Sequence, residues 1–421
     1  MRLAKAIAGW PKPDALSQAC ASKNPIRNFR YMVAPAIVPV NERPPFARIG
    51  LFLQGGGALG SYQAGVYQAL SEANLHPDCV AGISIGAINS ALIAGNPPER
   101  RVDALRAFWE RITEPPPGVL PLLTPLLGML ELGGELTHRE ANRAYAMSNL
   151  LGGAPGFFVP RALPTLWSIS GAMDSNSFYD VSPLRGTLEA LVDFDRIGSG
   201  AMRLCVGAVN VRSGNFRYFD SDEEKITPDH IIASGSLPPG FPATRIGDDY
   251  YWDGGIVSNT PLEWVLGTRP RRDTLAFQVD LWNARGELPS DLIGLDLRQK
   301  EIRFSSRTRA NTDQFRKMQR LRRAANRILQ MLPNQELLEN DPEIALLQSE
   351  ADETVYNIVH LIYRAKRYET SSKDYQFSRT TMEEHWSAGY SDTARTLKCP
   401  EVLQRPTAQD GVATFDLGNE T

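Results

Sequence analysis

The feature that most constrains this chain is a strand–turn–helix unit that occurs twice within fifty residues. Ile49-Gly50-Leu51-Phe52-Leu53-Gln54 reads as a buried strand, without a polar residue until Gln54. It is followed by Gly55-Gly56-Gly57-Ala58-Leu59-Gly60 and a helical pattern to about Ala73. Cys79-Val80-Ala81-Gly82-Ile83 then repeats the strand, Ser84 marks a sharp turn, and Ala87 to Ala94 reads as a second helix. Strands without polar alternation are buried on both faces, and a helix after each returns the chain for parallel pairing. The fold class expected is α/β with a mainly parallel central sheet.

Later segments extend this pattern. Met202–Val211 is a further strand, Ser213-Gly214-Asn215 a hairpin turn into Phe216–Phe219, and Thr227-Pro228 the start of a short helix ending near Ser234. Tyr250-Tyr251-Trp252 leads into Asp253-Gly254-Gly255, and Thr274–Leu281 is another strand. Leu292–Leu332 reads as one long helical stretch, Tyr356–Tyr363 as a strand and Phe377–Leu397 as a closing helix. Residues 1–46 are Pro-rich and aperiodic. Residues 115–172 open on Pro115-Pro116-Pro117 and carry an apolar run at 119–132 and a patch with Phe157, Phe158, Val159 and Trp167, the texture of a cap inserted over the sheet. The organisation expected is an N-terminal extension (1–46), a catalytic domain (47–283, with the cap at 115–172) and a mainly helical C-terminal extension (284–421).

Composition removes several function classes. With 45 Lys/Arg against 48 Asp/Glu the net charge is −3, so the whole chain is no nucleic-acid binder by charge. Within it, 298–327 holds eleven Lys/Arg and two acidic residues, a local +9. A solvated face and a contact with anionic lipid head groups are both open readings of this segment. Cys20, Cys79, Cys205 and Cys399 form no close pair, which argues against a disulfide framework or a zinc site and fits a reducing compartment. The apolar run Ala6–Trp10 stops at Pro11, too short for a secretory signal, and no run is long enough to span a membrane. The location expected is cytoplasmic, with peripheral membrane contact as an addition.

Three segments carry chemistry. The loop Gly55-Gly56-Gly57-Ala58 lets backbone approach a ligand and presents N–H groups at a helix start, a place for negative charge. It also satisfies GxGxxG, but the acidic residue a dinucleotide site needs after the next strand is absent, since Glu72 and Asp78 come before that strand. Ser61 rather than Lys follows Gly60, which excludes a P-loop. Gly82-Ile83-Ser84-Ile85-Gly86 is a GxSxG elbow in the correct context, strand before and small-residue helix after, so Ser84 is the candidate nucleophile. Asp253-Gly254-Gly255 reads equally as a helix-capping turn or as a carboxylate held at a strand end to accept a proton. The five histidines, His76, His138, His230, His360 and His385, offer no evident loop partner for Ser84, which makes a Ser–Asp dyad the simpler assignment.

The order glycine-rich loop, GxSxG and DGG resembles the patatin-like phospholipases, serine lipid acyl hydrolases with a Ser–Asp dyad. The resemblance covers residues 47 to about 283. It is supported by Ala233-Ser234-Gly235-Ser236-Leu237-Pro238-Pro239-Gly240-Phe241-Pro242 and by Asn259 and Pro261 after the DGG. The extension, with Lys373-Asp374-Tyr375-Gln376-Phe377-Ser378 and His385-Trp386, resembles that of a bacterial subgroup. The resemblance implies a three-layer α/β/α fold with Ser84 and Asp253 as the dyad. It also implies an oxyanion hole from Gly55, Gly56, Gly57, Ala58 and Ile85, Gly82 and Gly86 as elbow glycines, and Gly254 and Gly255 in the acid loop. It implies a lipid or acyl-ester substrate and neither metal nor organic cofactor. Leu59 departs from the family loop, where Arg or Lys is common. Acyl transfer to another acceptor, and a catalytically weak binding or scaffold protein, are the competing readings.

Overall fold

The computed structural model describes residues 37–417 apart from 116–134, 162–176, 290–291, 306–307, 332–340, 367–368, 370–371, 408 and 410. The chain divides into 1–34 and 35–421, and every described residue belongs to the second unit. Most of the predicted N-terminal extension, the apolar run 119–132 and Trp167 therefore lie outside the described residues.

The first half of the chain contributes β1 (Arg48–Leu53), α1 (Ser61–Glu72), β2 (Cys79–Ile83), α2 (Ile85–Ala94) and α3 (Arg101–Ile112). From the predicted cap come α4 (Glu135–Gly152) and β3 (Val159–Pro160), which pairs with β4 (Tyr179–Asp180). Next are α5 (Ser182–Leu191), β5 (Arg203–Asn210), β6 (Phe216–Asp220), α6 (Pro228–Ser234), β7 (Thr244–Ile246), β8 (Asp249–Asp253), α7 (Leu262–Gly267) and β9 (Thr274–Asp280). The C-terminal part adds α8 (Leu292–Phe304), α9 (Thr308–Met331), α10 (Pro342–Glu350), β10 (Tyr356–Ile362), α11 (Arg379–Thr396) and β11 (Val412–Phe415). The helical stretch expected from Leu292 to Leu332 holds two helices among the described residues, Leu292–Phe304 and Thr308–Met331.

The fold is α/β, as expected. Nine strands form one sheet in the order β11-β10-β9-β1-β2-β5-β8-β7, with β6 also on β5. The pairs from β11 through β5 are parallel, and β6, β7 and β8 join antiparallel. Side-chain alternation on β1 divides the core into two layers. Ile49, Leu51 and Leu53 pack with Leu70 of α1, Ile88 and Leu92 of α2 and Phe108 of α3. Phe52 packs on the opposite face with Leu262, Val265 and Leu266 of α7 and Phe315 of α9. Helices on both faces explain why the strand has no polar residue after Arg48.

The segment beyond 283 completes the sheet. β10 pairs with β9 over seven residues, Tyr356↔Thr274 to Ile362↔Asp280. Along α11, Trp386 Nε1 donates to Gln68 at 2.6 Å, and Asp392 accepts from the Tyr62 hydroxyl at 2.9 Å, which ties this helix to α1.

Candidate active site

One strand acts as a ruler for the site. β5 pairs with β2 up to Ile83↔Gly207 and with β8 from Ala208↔Asp253. Continuing the β2 register one residue past Ile83 carries Ser84 to the level of Ala208, the residue that Asp253 pairs with from the other side of β5, although 169 residues separate the two in sequence. The glycine-rich loop leaves the end of β1 and Trp282 lies just past β9, so all four groups gather at carboxyl ends of strands, where open α/β sheets bind ligands.

Ser84 has φ 57° and ψ −125° between strand and helix. A non-glycine residue held there is strained and persists only because its surroundings over-determine it. The flanking glycines show how. A Cβ on Gly82 would stand 2.1 Å from the Gly86 carbonyl oxygen, and one on Gly86 2.3 Å from that of Leu53. Only glycine at both places lets β2, α2 and the end of β1 approach this closely. The Ser84 N–H donates to Ser234 Oγ at 2.9 Å, and that hydroxyl donates to the Gly207 carbonyl at 2.6 Å.

Asp253 is 3 % exposed. Its carboxylate accepts a hydrogen bond from the Gly255 N–H at 2.7 Å and lines the same cavity as Ser84. Burial pushes its pKa up from the ordinary 3.8 to about 6, against the Ser84 hydroxyl and the Gly255 N–H, which favour the charged form. The carboxylate is thus a stronger base than its residue type suggests.

The glycine-rich loop divides in its hydrogen bonding. The Gly55 N–H donates to Asn259 Oδ1 at 3.0 Å, and the Gly55 carbonyl accepts from Asn259 Nδ2 and from Trp282 Nε1, each at 3.0 Å. The Ala58 N–H donates to the Asp374 carbonyl at 2.8 Å. Gly55 and Ala58, expected as oxyanion donors, spend their N–H groups internally. Gly56 and Gly57 stand at the start of a short 3₁₀ turn (Gly57–Gly60) and Ile85 is the first residue of α2, where N–H groups lack partners within the helix. Leu59 is fully buried in the core and is not among the residues that line the cavity beside Ser84.

These groups open onto a cavity of about 300 Å³. Ser84, Asp253 and Gly55–Gly57 line one end, and the walls are largely apolar, with Phe158, Phe241 and Phe377 among them. Phe157, Phe158, Tyr179, Phe241 and Phe377 form one aromatic cluster with ring centroids 4.9–6.1 Å apart. Leu150, Phe157 and Phe158 of the predicted cap segment are among the residues that line the cavity. Leu150 and Leu237 line the cavity and are also exposed. No histidine lines it among the described residues. His230 caps α6, receiving the Thr227 N–H on Nδ1 at 3.0 Å, and His385 is buried against Glu369 at 3.2 Å.

The sequence model of the patatin-like phospholipase family matches residues 51–266. The chain belongs to that family. A second model, described as patatin phospholipase, matches residues 302–409, so the family assignment extends over both the motif-bearing part and most of the C-terminal segment. This patatin-like chain is similar to the lysophospholipase nte1 of Aspergillus terreus, 54% identical over 46 residues. That match spans 11% of this chain and 3% of the fungal protein's length. Among solved structures it is similar to VipD from Legionella pneumophila, with TM-score 0.35 and 14% identity over 89% of this chain and 72% of that one. It is also similar to a chain of the full-length SpcU–ExoU complex of the Pseudomonas aeruginosa type III secretion system, with TM-score 0.22 and 19% identity over 64% and 52%.

Sequence reasoning did not assign roles to Asn259, Trp282, Ser234 and Asp374. Asn259 follows the DGG closely enough to be noticed. Ser234 and Asp374 lie in segments that carry the family resemblance, but their partners are far along the chain and give them no role there, and nothing local marks Trp282.

Proposed function

We propose that this family member is a serine lipid acyl hydrolase. The observation that carries the reading is that a strained Ser84 and a buried Asp253 carboxylate line the same cavity, with the Ser84 hydroxyl favouring the charged form of that carboxylate. As Ser84 Oγ attacks the ester carbonyl carbon, its proton passes to Asp253. The N–H groups of Gly56, Gly57 and Ile85 receive the developing oxyanion. Collapse of the tetrahedral intermediate breaks the ester C–O bond, and Asp253 returns the proton to the departing alcohol. Water then attacks the acyl-enzyme, Asp253 again takes the proton, and the fatty acid leaves as Ser84 Oγ is reprotonated. Neither half-reaction calls for a metal or an organic cofactor.

The apolar, aromatic walls support a hydrocarbon chain as the acyl group. Met147, Leu150 and Leu151 on α4, together with Phe178 and Leu237, are exposed apolar side chains on or beside the elements that form the cavity. With the basic α8–α9 segment they support peripheral contact with an anionic lipid surface. No helix among the described residues is long and apolar enough to cross a membrane.

Ester-containing lipids presented on neutral and anionic vesicles, with mass-spectrometric product detection, test both parts. Free fatty acid should be released by the parent and not by Ser84→Ala, and sedimentation with vesicles should rise with anionic content and fall with salt. Full activity of Ser84→Ala refutes the nucleophile; acyl transfer to an added alcohol in place of hydrolysis refutes the hydrolase. Vesicle binding indifferent to charge and salt refutes the surface contact.

A further inference from the structure

The stretch from Ser372 to Ser378 lies far along the chain from every catalytic motif, yet it is built into the site. The Asp374 carbonyl accepts the Ala58 N–H at 2.8 Å. It also stands where a Cβ on Gly57 would fall, 2.0 Å away, and Gly57 has φ +57°. Tyr375 and Phe377 line the cavity beside it.

The stretch is held from several sides. Lys373 Nζ, 2 % exposed, pairs with Glu301 of α8 at 3.0 Å and lies 5.1 Å over the Trp282 ring, whose Nε1 donates to the Gly55 carbonyl. Lys300, also on α8, pairs with the Asp374 carboxylate at 3.3 Å. Gln376 Nε2 donates to Asn142 Oδ1 at 2.7 Å and the Phe377 N–H to Asn149 Oδ1 at 3.1 Å, both buried on α4. Ser378 caps α11 by accepting the Thr381 N–H.

We propose that Lys373 and Lys300 are positioning residues for ester cleavage: they lock the 373–377 backbone so that the Asp374 carbonyl holds Ala58 and thereby aims the N–H groups of Gly56 and Gly57 into the cavity. A hydrogen bond on Ala58 fixes the peptide planes before it, and a loop with a positive-φ glycine has other conformations to occupy once that bond is lost. The buried Lys373–Glu301 pair costs desolvation and is weak as a source of stability, whereas a fixed geometry at a reacting centre is worth that cost. This proposal rests on Ser84 being the nucleophile.

The test uses the full chain and a short nitrophenyl ester, with Lys373→Met, Lys300→Met and Ser84→Ala. Active sites are counted by fluorophosphonate labelling, which also places an oxygen in the hole. Lys373→Met should lower kcat about 10- to 100-fold per labelled site, a fraction of the 10²–10³ that loss of an oxyanion donor costs, with KM within about 2-fold. Labelling should slow in parallel. Lys300→Met should show the same pattern at smaller size, and decides the matter if Lys373→Met does not fold. Parental kcat per labelled site in the folded variants, with only a lower melting temperature, overturns the proposal. If Ser84→Ala is inactive while both lysine variants match the parent, the positioning role alone is wrong; if Ser84→Ala is active, the nucleophile assignment has failed as well.

Discussion

Replacing Asp253 by Asn should make the protein more stable and inactive at once, and the gain should depend on pH. Asn is nearly isosteric, keeps an oxygen for the Gly255 N–H and cannot ionise. Burial raises the Asp253 pKa from 3.8 to about 6, a difference worth about 3 kcal/mol. The folded state holds this proton more tightly than the unfolded chain, so an ionised Asp253 opposes folding. The cost is fully present above pH 6, shrinks as pH falls through 6, is about 1 kcal/mol at pH 4.5 and vanishes below the unfolded value. Urea unfolding of parent and Asp253→Asn at pH 8 and pH 4.5 measures it directly. The variant should lead by about 3 kcal/mol at pH 8 and by about 1 kcal/mol at pH 4.5, while hydrolysis falls by about 10²–10⁴ through loss of the base. A stability difference that is absent at pH 8, or the same at both pH values, refutes the desolvated carboxylate; retained hydrolysis refutes its role as base.

Two further outcomes follow from the same geometry. The acid limb of kcat/KM on a neutral ester should have its midpoint at about pH 6, because Asp253 must be ionised to accept the Ser84 proton; a midpoint near 4 would show an ordinary exposed carboxylate in charge. Ser84→Gly should be inactive yet more stable than Ser84→Ala by about 1 kcal/mol, since only glycine relieves the strain at φ 57°; equal melting of the two would remove strain from the account of the elbow.

Much of the catalytic half was legible because its signals are local. Unbroken apolar strands at Ile49 and Cys79 announced burial on both faces, and Gly82 and Gly86 mark a close approach that their missing Cβ atoms make possible. The antiparallel hairpin at Ser213–Asn215 was equally local. The stretch from Leu292 to Leu332 was legible as helical, but helix-forming composition does not report that α8 ends at Phe304, which lines the cavity. For the oxyanion loop, composition assigns all its N–H groups alike, whereas Asn259 and Asp374, 204 and 316 residues further on, take two of them.

The sequence by itself determined the α/β class and the serine at a strand-to-helix elbow, and with no evident histidine it made Asp253 the candidate partner of that serine. These depend on backbone periodicity and on residues within a few positions of each other. Tertiary structure alone decided which rungs of β5 bring Ser84 beside Asp253, how far burial raises the basicity of that carboxylate, and which loop N–H groups stay available. It also decided that the segment beyond 283 supplies strands to the same sheet and a wall to the same cavity. Each of these is a property of contacts between distant segments, set by packing and by exclusion of water, and neither has a signature within the segments themselves.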